Sequence, residues 1–147
     1  MQFRSKSVAE TQQLAAKLAE KLVVPHSARD GATVVALEGE LGAGKTTFTQ
    51  AFAKALGVKE NLTSPTFVLM KQYAIQVTNY KLLVHIDAYR LKDHHDLLVL
   101  GINELLVDPS NIILIEWAER VAEILPKDRT TIHLDHISEN ERQITIT

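Results

Sequence analysis

The sequence predicts a single α/β domain in which helices cover both faces of a mixed, mostly parallel sheet. Short apolar runs of strand character alternate with segments of helical periodicity along the chain. A glycine-rich loop stands between one such strand and one such helix. The chain has 147 residues, of which 46% are hydrophobic and 23% are charged. This size and composition are typical of one globular domain.

The elements follow in order along the chain. An S-x-x-E capping box at Ser7 begins the first helix, and apolar residues at near-helical spacing continue it. We predict helices over Val8–Leu22, Thr46–Leu56, Leu97–Val107 and Trp117–Leu125. We predict strands over Thr33–Glu38, Phe67–Ile75, Tyr80–Asp87, Asn111–Glu116, Thr130–Asp135 and Gln143–Thr147. Because Thr78 and Asn79 leave no room for a parallel crossover, the second and third strands should form an antiparallel hairpin.

One motif carries most of the functional information. Residues 39–46 read Gly-Glu-Leu-Gly-Ala-Gly-Lys-Thr, which matches the phosphate-binding pattern G-x-x-x-x-G-K-[ST]. The predicted strand before it and the predicted helix after it supply the context that this pattern requires. Backbone N–H groups and the positive end of the helix dipole would then enclose an anion. We therefore predict a P-loop NTPase fold, with three α/β/α layers and one P-loop ATPase domain over residues 1–147.

The side chains of this loop have distinct expected roles. Lys45 should reach the β- and γ-phosphate oxygens of ATP, and the Thr46 hydroxyl should ligate Mg²⁺. Thr47 either bonds the α-phosphate or is an ordinary threonine of the first helical turn. The loop residues predicted to bind the nucleotide are Gly39, Glu40, Leu41, Gly42, Ala43, Gly44, Lys45, Thr46 and Thr47.

Two acidic residues are candidates for the metal and the attacking water. Asp87 and Glu116 each end an apolar run, and Mg²⁺ on a phosphate loop usually needs a carboxylate at the end of a neighbouring strand. The pattern does not rank the two, and either could merely cap a strand end. The candidate metal ligands are Thr46, Asp87 and Glu116, and the candidate catalytic residues are Lys45, Asp87 and Glu116.

Three further positions have two interpretations each. The segment around Ser64 and Thr66 is either a polar turn or a switch-like loop whose hydroxyl groups sense the γ-phosphate. Trp117 would by default be a core or interface aromatic, but its place beside Glu116 makes it a candidate for the nucleotide site. Arg90 is the nearest candidate for an arginine that stabilises the transition state, and a structural role is equally open.

The composition disfavours several classes of function. A formal charge of -2 without a basic run argues against direct binding to DNA or tRNA. The apolar runs are far shorter than the roughly 20 residues of a membrane helix, and no signal or transit composition is present. The sequence contains no cysteine, which suits a reducing compartment. We therefore expect a cytoplasmic location and no membrane or DNA partner.

Five segments together resemble the TsaE (YjeE) family of ATPases, which is needed for making threonylcarbamoyladenosine in tRNA. The segments are the N-terminal helix, residues 39–48, residues 64–67, His85–Leu91 and Glu116–Glu119, and the likeness covers nearly the whole chain. The chain departs from the family pattern at Ala88, where leucine is common, and at Ala118, where proline is common. These two departures concern loop shape, because neither removes a chemically reactive group.

The resemblance implies a Mg²⁺-dependent ATPase that is weak alone and works with the TsaB and TsaD transferase subunits. That complex modifies the adenosine beside the anticodon, so tRNA would be contacted only indirectly. The resemblance also implies that Ser64 to Thr66 form a switch segment, that Asp87 and Glu116 serve the metal and the water, and that Trp117 lies beside them.

Two alternatives stay open. One is a nucleotide-gated assembly module in which hydrolysis is incidental, and the other is a small-molecule kinase. A small GTPase is disfavoured, because the chain contains no Asn-Lys-x-Asp sequence for guanine.

Overall fold

The computed structural model describes residues 1–23, 30–62 and 69–147. Its helices are α1 (Val8–Leu22), α2 (Lys45–Ala55), α3 (His95–Val99) and α4 (Ile102–Leu106). Its strands are β1 (Gln2–Ser5), β2 (Thr33–Glu38), β3 (Met70–Val77), β4 (Tyr80–Asp87), β5 (Asn111–Glu116), β6 (Thr130–His136) and β7 (Arg142–Ile146). Two short 3-10 helices, Ala118–Arg120 and Ala122–Ile124, follow β5.

The strands form one seven-stranded sheet in the order β1-β7-β6-β2-β5-β4-β3. Parallel pairs join β6 to β2, β2 to β5 and β5 to β4. Antiparallel pairs join β1 to β7, β7 to β6 and β4 to β3. The sheet is mixed, as predicted, but the prediction of a mostly parallel sheet is wrong, because half of these pairings are antiparallel. The short strand β1, which the sequence analysis missed, supplies one of them.

Several elements agree closely with the sequence prediction. Helix α1 has the predicted bounds, and the Glu10 backbone N–H donates to the Ser7 hydroxyl at 3.1 Å. Strands β2, β4 and β5 also have the predicted bounds, and α2 begins and ends one residue earlier than predicted. The predicted antiparallel hairpin is formed by β3 and β4, with Thr78 at its turn in a left-handed conformation (φ +53°).

Two helix predictions are wrong. The segment predicted as one helix over Leu97–Val107 is divided into α3 and α4, because Gly101 adopts a left-handed conformation with φ +84°. The segment predicted as a helix over Trp117–Leu125 contains the two 3-10 helices instead, and Trp117 itself is left-handed with φ +59°. A left-handed residue cannot continue a right-handed helix, so Gly101 ends α3 and Trp117 stands before the helical turns that follow it. Val121, with φ -130°, then separates the two 3-10 helices. The predicted start of the strand at Phe67 lies outside the described residues.

The core lies on both faces of the sheet. In β2, Val35 and Leu37 pack with α1 and α2, whereas Val34 and Ala36 pack with α3, α4 and the segment after β5. This alternation follows from the two-residue period of a strand, and it buries β2 on both faces. The sheet is therefore the middle of three layers. The carboxyl end of β2 leads directly into the glycine-rich loop. No helix in the described ranges is both long enough and apolar enough to cross a membrane.

Candidate functional site

A cavity of about 360 Å³ lies at the edge of the sheet where the parallel strands β2, β5 and β4 end. The loop between β2 and α2 forms one wall, and the ends of β4 and β5 form another. The residues that line the cavity are Leu41, Gly42, Gly44, Lys45, Thr46, Thr47, Asp87, Tyr89, Glu116, Trp117 and Arg142. The structure therefore brings the predicted loop residues together with both predicted acids.

The loop backbone requires glycine at its first position. Gly39 has φ +138°, and a Cβ atom there would lie 2.3 Å from the carbonyl oxygen of Leu134 in β6. Gly44 immediately precedes α2 and is left-handed, with φ +102°. These conformations turn the chain sharply from the end of β2 into the first turn of α2. Lys45 and Thr46, the first two residues of α2, consequently line the cavity.

Lys45 is almost completely buried, with 5% of its surface exposed. Its ammonium group donates hydrogen bonds to the carbonyl oxygens of Gly39 and Glu40, the second at 2.8 Å. The same nitrogen lies 4.0 Å from the centroid of the Trp117 ring. The ammonium group is thus held inside the loop by neutral acceptors and by the face of an aromatic ring.

Burial and nearby carboxylates shift the pKa of this ammonium group in opposite directions. Burial lowers the pKa of Lys45, and the carboxylates of Glu119, Glu116, Asp87 and Glu40 partly offset that lowering. Removal from water disfavours a charged amine, whereas nearby negative charges favour it. The site therefore holds a desolvated cation close to several acids.

Glu116 is held from two sides. It is 2% exposed, and one carboxylate oxygen accepts a hydrogen bond from the Thr46 hydroxyl at 3.3 Å. The other oxygen lies 2.7 Å from Nε2 of His85, which is also buried. Within the described ranges, Nδ1 of His85 has no hydrogen-bond partner, so Nε2 is the ring nitrogen through which His85 contacts Glu116.

His85 was not among the predicted site residues, although a signal for it was present in the sequence. His85 and Asp87 are two residues apart in β4. Because side chains alternate along a strand, His85 lies on the same face of the sheet as the predicted site residue Asp87. The sequence does not show which strand lies beside β4. His85 reaches Glu116 only because β4 and β5 are adjacent and parallel.

The two acids occupy equivalent positions at the ends of adjacent strands. Asp87 and Glu116 are register partners in the parallel pair of β4 and β5. The Asp87 carboxylate accepts a hydrogen bond from the Tyr89 backbone N–H at 3.0 Å, which makes a tight turn after the strand. Ala88, one of the two departures from the family pattern, is fully buried, and its N–H donates to the Glu116 carbonyl at 2.9 Å. This bond continues the pairing of the two strands past both acids.

An aromatic pair closes one side of the cavity. The Trp117 and Tyr89 ring centroids are 4.9 Å apart. The Arg120 guanidinium lies 5.6 Å from the Trp117 ring and 5.4 Å from the Tyr89 ring. Tyr89 and Arg120 were not predicted, and the arginine among the cavity-lining residues is Arg142 rather than Arg90.

The other predicted loop residues contribute backbone groups. Gly39, Glu40 and Ala43 belong to the loop but use their carbonyl groups in internal hydrogen bonds. Ser64 and Thr66 lie outside the described residues, so the proposed switch segment stays a prediction.

Three oxygen-bearing side chains at the sheet edge have the chemistry that Mg²⁺ prefers, although they do not form a complete metal site by themselves. In the described part of the chain, no cluster of three or more histidine, aspartate or glutamate side chains could hold a metal ion. Thr46, Asp87 and Glu116 offer one hydroxyl and two carboxylates, which are hard oxygen donors. Mg²⁺ is commonly bound by one or two carboxylates together with water and substrate phosphates.

Comparison with known proteins decides the family. Residues 5–144 match the family model described as "Threonylcarbamoyl adenosine biosynthesis protein TsaE". The chain belongs to the TsaE family. The match includes every described residue of the cavity wall, from Leu41 in the loop to Arg142 at the start of β7.

Individual TsaE relatives agree with this assignment. The TsaE protein of Bacillus subtilis (strain 168) is 41% identical over 114 residues, which cover 78% of this chain and 68% of that protein. The TsaE protein of Treponema pallidum is 40% identical over 114 residues, covering 78% and 81% respectively. The crystal structure of Bacillus subtilis YdiB superposes with a TM-score of 0.72 at 33% identity and covers 99% of this chain and 83% of that one. The α/β fold with its mixed sheet is therefore shared with a solved structure.

Proposed function

We propose that this protein serves in making threonylcarbamoyladenosine in tRNA, and that it does so by binding MgATP in the cavity and hydrolysing the γ-phosphate. One observation carries the proposal: the buried ammonium of Lys45, the hydroxyl of Thr46 and the carboxylate of Glu116 converge where α2 begins. A glycine-rich loop that leads from a buried strand to this point is the arrangement of a P-loop NTPase domain. We assign that domain to residues 1–147.

The loop and α2 would bind the phosphates. Helix α2 has 11 residues, and its N-terminal N–H groups and positive dipole end face the cavity, which favours an anion. Lys45 would exchange its carbonyl partners at Gly39 and Glu40 for phosphate oxygens. Hydrogen bonds to a charged phosphate are stronger than those to neutral carbonyls, so this exchange is favourable.

The sheet edge would hold the metal and the attacking water. Thr46, Asp87 and Glu116 supply oxygen ligands for Mg²⁺. When bound, Mg²⁺ supplies positive charge to the β- and γ-phosphates. Asp87 or Glu116 would orient a water molecule in line with the γ-phosphorus. Attack by that water forms a new P–O bond, breaks the bond to ADP, and yields ADP and inorganic phosphate.

We expect the ATPase activity of the isolated protein to be weak. Charge that develops on the γ-phosphate needs a positioned cation, and arginines supplied by a partner can raise phosphoryl-transfer rates by several orders of magnitude. By likeness to the TsaE family, we propose that TsaB and TsaD subunits are the partners and that tRNA is reached through them.

An ATPase assay with and without TsaB and TsaD tests this function. We expect slow Mg²⁺-dependent release of phosphate from ATP alone, faster release with the partners, and little release from GTP. Equal rates with and without the partners would contradict the partner dependence. Phosphate transfer to an added small molecule would favour a kinase instead.

A hydrolysis-deficient variant separates the enzyme from an assembly module. Glu116→Gln keeps the size of the side chain but removes the carboxylate that contacts Thr46 and His85. We expect this variant to bind ATP and to fail in repeated rounds of tRNA modification with the partners. Repeated rounds at the parent rate would favour the nucleotide-gated assembly module.

A further inference from the structure

Arg142, the first residue of β7, reaches back across the sheet to the phosphate loop, about a hundred residues earlier in the sequence. Its Nε atom donates to the Ala43 carbonyl at 3.1 Å, and Nη2 donates to the Gly42 carbonyl at 3.3 Å. Its Nη1 atom donates to three carbonyls in and beside the turn between β6 and β7. These are the carbonyls of Ser138 at 2.7 Å, Glu139 at 3.4 Å and Glu141 at 2.9 Å.

These bonds fix the orientation of two peptide planes in the loop. In a trans peptide the C=O of one residue and the N–H of the next point in opposite directions. The bond from Arg142 to the Ala43 carbonyl therefore directs the Gly44 N–H away from the guanidinium. The peptide between Gly42 and Ala43 is fixed at both ends, because the Ala43 N–H donates to the Glu40 carbonyl at 3.1 Å.

Holding the orientation of peptide planes matters most in a loop that is rich in glycine. Gly42 and Gly44 both have positive φ values, and glycine allows many other backbone conformations. A loop that binds an anion through N–H groups must keep those groups aimed at one point, and any freedom left in the loop is lost on binding. A guanidinium can hold several carbonyls at once, because its five donors lie in one rigid plane.

We propose that Arg142 is a positioning residue for the phosphate loop, holding the peptide planes at Gly42 and Ala43 so that the loop is preorganised for a nucleotide phosphate. The proposal rests on the proposed nucleotide binding. It assigns to β7 and the turn before it a role in the site, although no phosphate-binding motif lies there. Although Arg142 also lines the cavity, in this role it acts on the ligand through the loop, so the geometry of its donors matters more than its charge.

Calorimetric titration with MgADP tests this role. The variants are Arg142→Met, Arg142→Lys and the control Arg4→Met. Arg4 is an exposed arginine on neighbouring β1 that pairs with Glu141, so its loss removes a cation from the same edge of the sheet without touching the loop. We expect Arg142→Met to raise the Kd by about tenfold, as for the loss of charge-assisted hydrogen bonds. Arg4→Met should stay within about twofold of the parent.

Arg142→Lys separates geometry from charge. An ammonium group keeps the charge but has no planar fork, so we expect affinity close to that of Arg142→Met. Parental affinity in Arg142→Lys would overturn the proposal, because charge alone would then explain the residue. Parental affinity in Arg142→Met would overturn it as well.

A measurement without nucleotide distinguishes failure of this inference from failure of the proposed function. In ¹⁵N–¹H spectra of the nucleotide-free protein, the Ala43 and Gly44 amide signals should move in both Arg142 variants and stay in place in Arg4→Met. Unchanged signals in a folded Arg142 variant would overturn the positioning role. If the parent binds no nucleotide, the proposed function fails, and the amide signals still test the inference. Arg142→Lys serves for both readouts if Arg142→Met does not fold.

Discussion

The Nε2 atom of His85 lies 2.7 Å from a carboxylate oxygen of Glu116, and both side chains are at least 97% buried. This contact holds one oxygen of Glu116 in the interior, while the other oxygen reaches the Thr46 hydroxyl at the cavity. His85 therefore fixes the side chain that we assign to the metal and the water. A buried carboxylate that loses such a donor carries an unmatched desolvation cost.

The first prediction concerns this donor. His85→Phe retains an aromatic ring but cannot donate to Glu116, and we expect the free energy of unfolding to fall by about 1–3 kcal/mol. His85→Gln can still place an N–H group near the carboxylate, so its loss should be smaller. Urea denaturation of the two variants measures the difference. Equal losses in the two variants would show that the hydrogen bond contributes little.

The second prediction concerns Asp87. Asp87→Asn keeps the shape of the side chain and removes its charge, so hydrolysis should require more Mg²⁺, whereas Mg²⁺-free nucleotide binding should change little. The measurement is a Mg²⁺ titration of ATPase rate beside calorimetry in EDTA. Asp128→Asn is the control, because Asp128 is exposed and precedes β6 at the opposite edge of the sheet. The same Mg²⁺ dependence in Asp87→Asn and in the parent would rule out the metal role.

Sequence reasoning succeeded where the signal is local. Lys45 and Thr46 belong to one short motif, and Asp87 and Glu116 each end an apolar run that folds as predicted. Strand ends at a common edge of a parallel sheet bring such residues together without further information. The four side chains at the centre of the site could therefore be predicted from the chain alone.

Sequence reasoning failed where a contact depends on the order of strands. His85 meets Glu116 because β4 lies beside β5, and Arg142 meets Ala43 across 99 positions of the chain. Neither pairing leaves a local pattern. Strand β1 was missed for the same reason, since its four residues contain one large apolar side chain, that of Phe3, and the strand is defined by its pairing with β7.

The third prediction concerns the loop backbone. In Gly39→Ala, the new Cβ would lie 2.3 Å from the Leu134 carbonyl, so the loop or β6 must move. Gly57→Ala is the matched control, because Gly57 also has positive φ but has no described atom within 4 Å of such a Cβ. We expect Gly57→Ala to cost about 1–2 kcal/mol of unfolding free energy from backbone strain alone. Gly39→Ala should cost more, as measured by urea denaturation. A smaller cost at Gly39 than at Gly57 would contradict the close packing of the loop on β6.

The fourth prediction uses Trp117, the sole tryptophan of the sequence. In the described structure the Lys45 ammonium lies 4.0 Å from its ring centroid. If a phosphate draws this ammonium away, the surroundings of the indole change. We expect a saturable change in intrinsic fluorescence when MgADP is added to the parent. Lys45→Met should show no such change, and an identical change in that variant would contradict the movement of Lys45.

The most direct test is calorimetric titration of MgATP into the parent, Lys45→Ala and the control Lys54→Ala. Lys54 is an exposed lysine at the far end of α2, so its loss removes the same charge away from the cavity. We expect one site in the parent and in Lys54→Ala, and an affinity lower by about ten- to a hundredfold in Lys45→Ala. Equal affinities of the parent and Lys45→Ala, or no uptake of nucleotide by the parent, would contradict nucleotide binding by this loop.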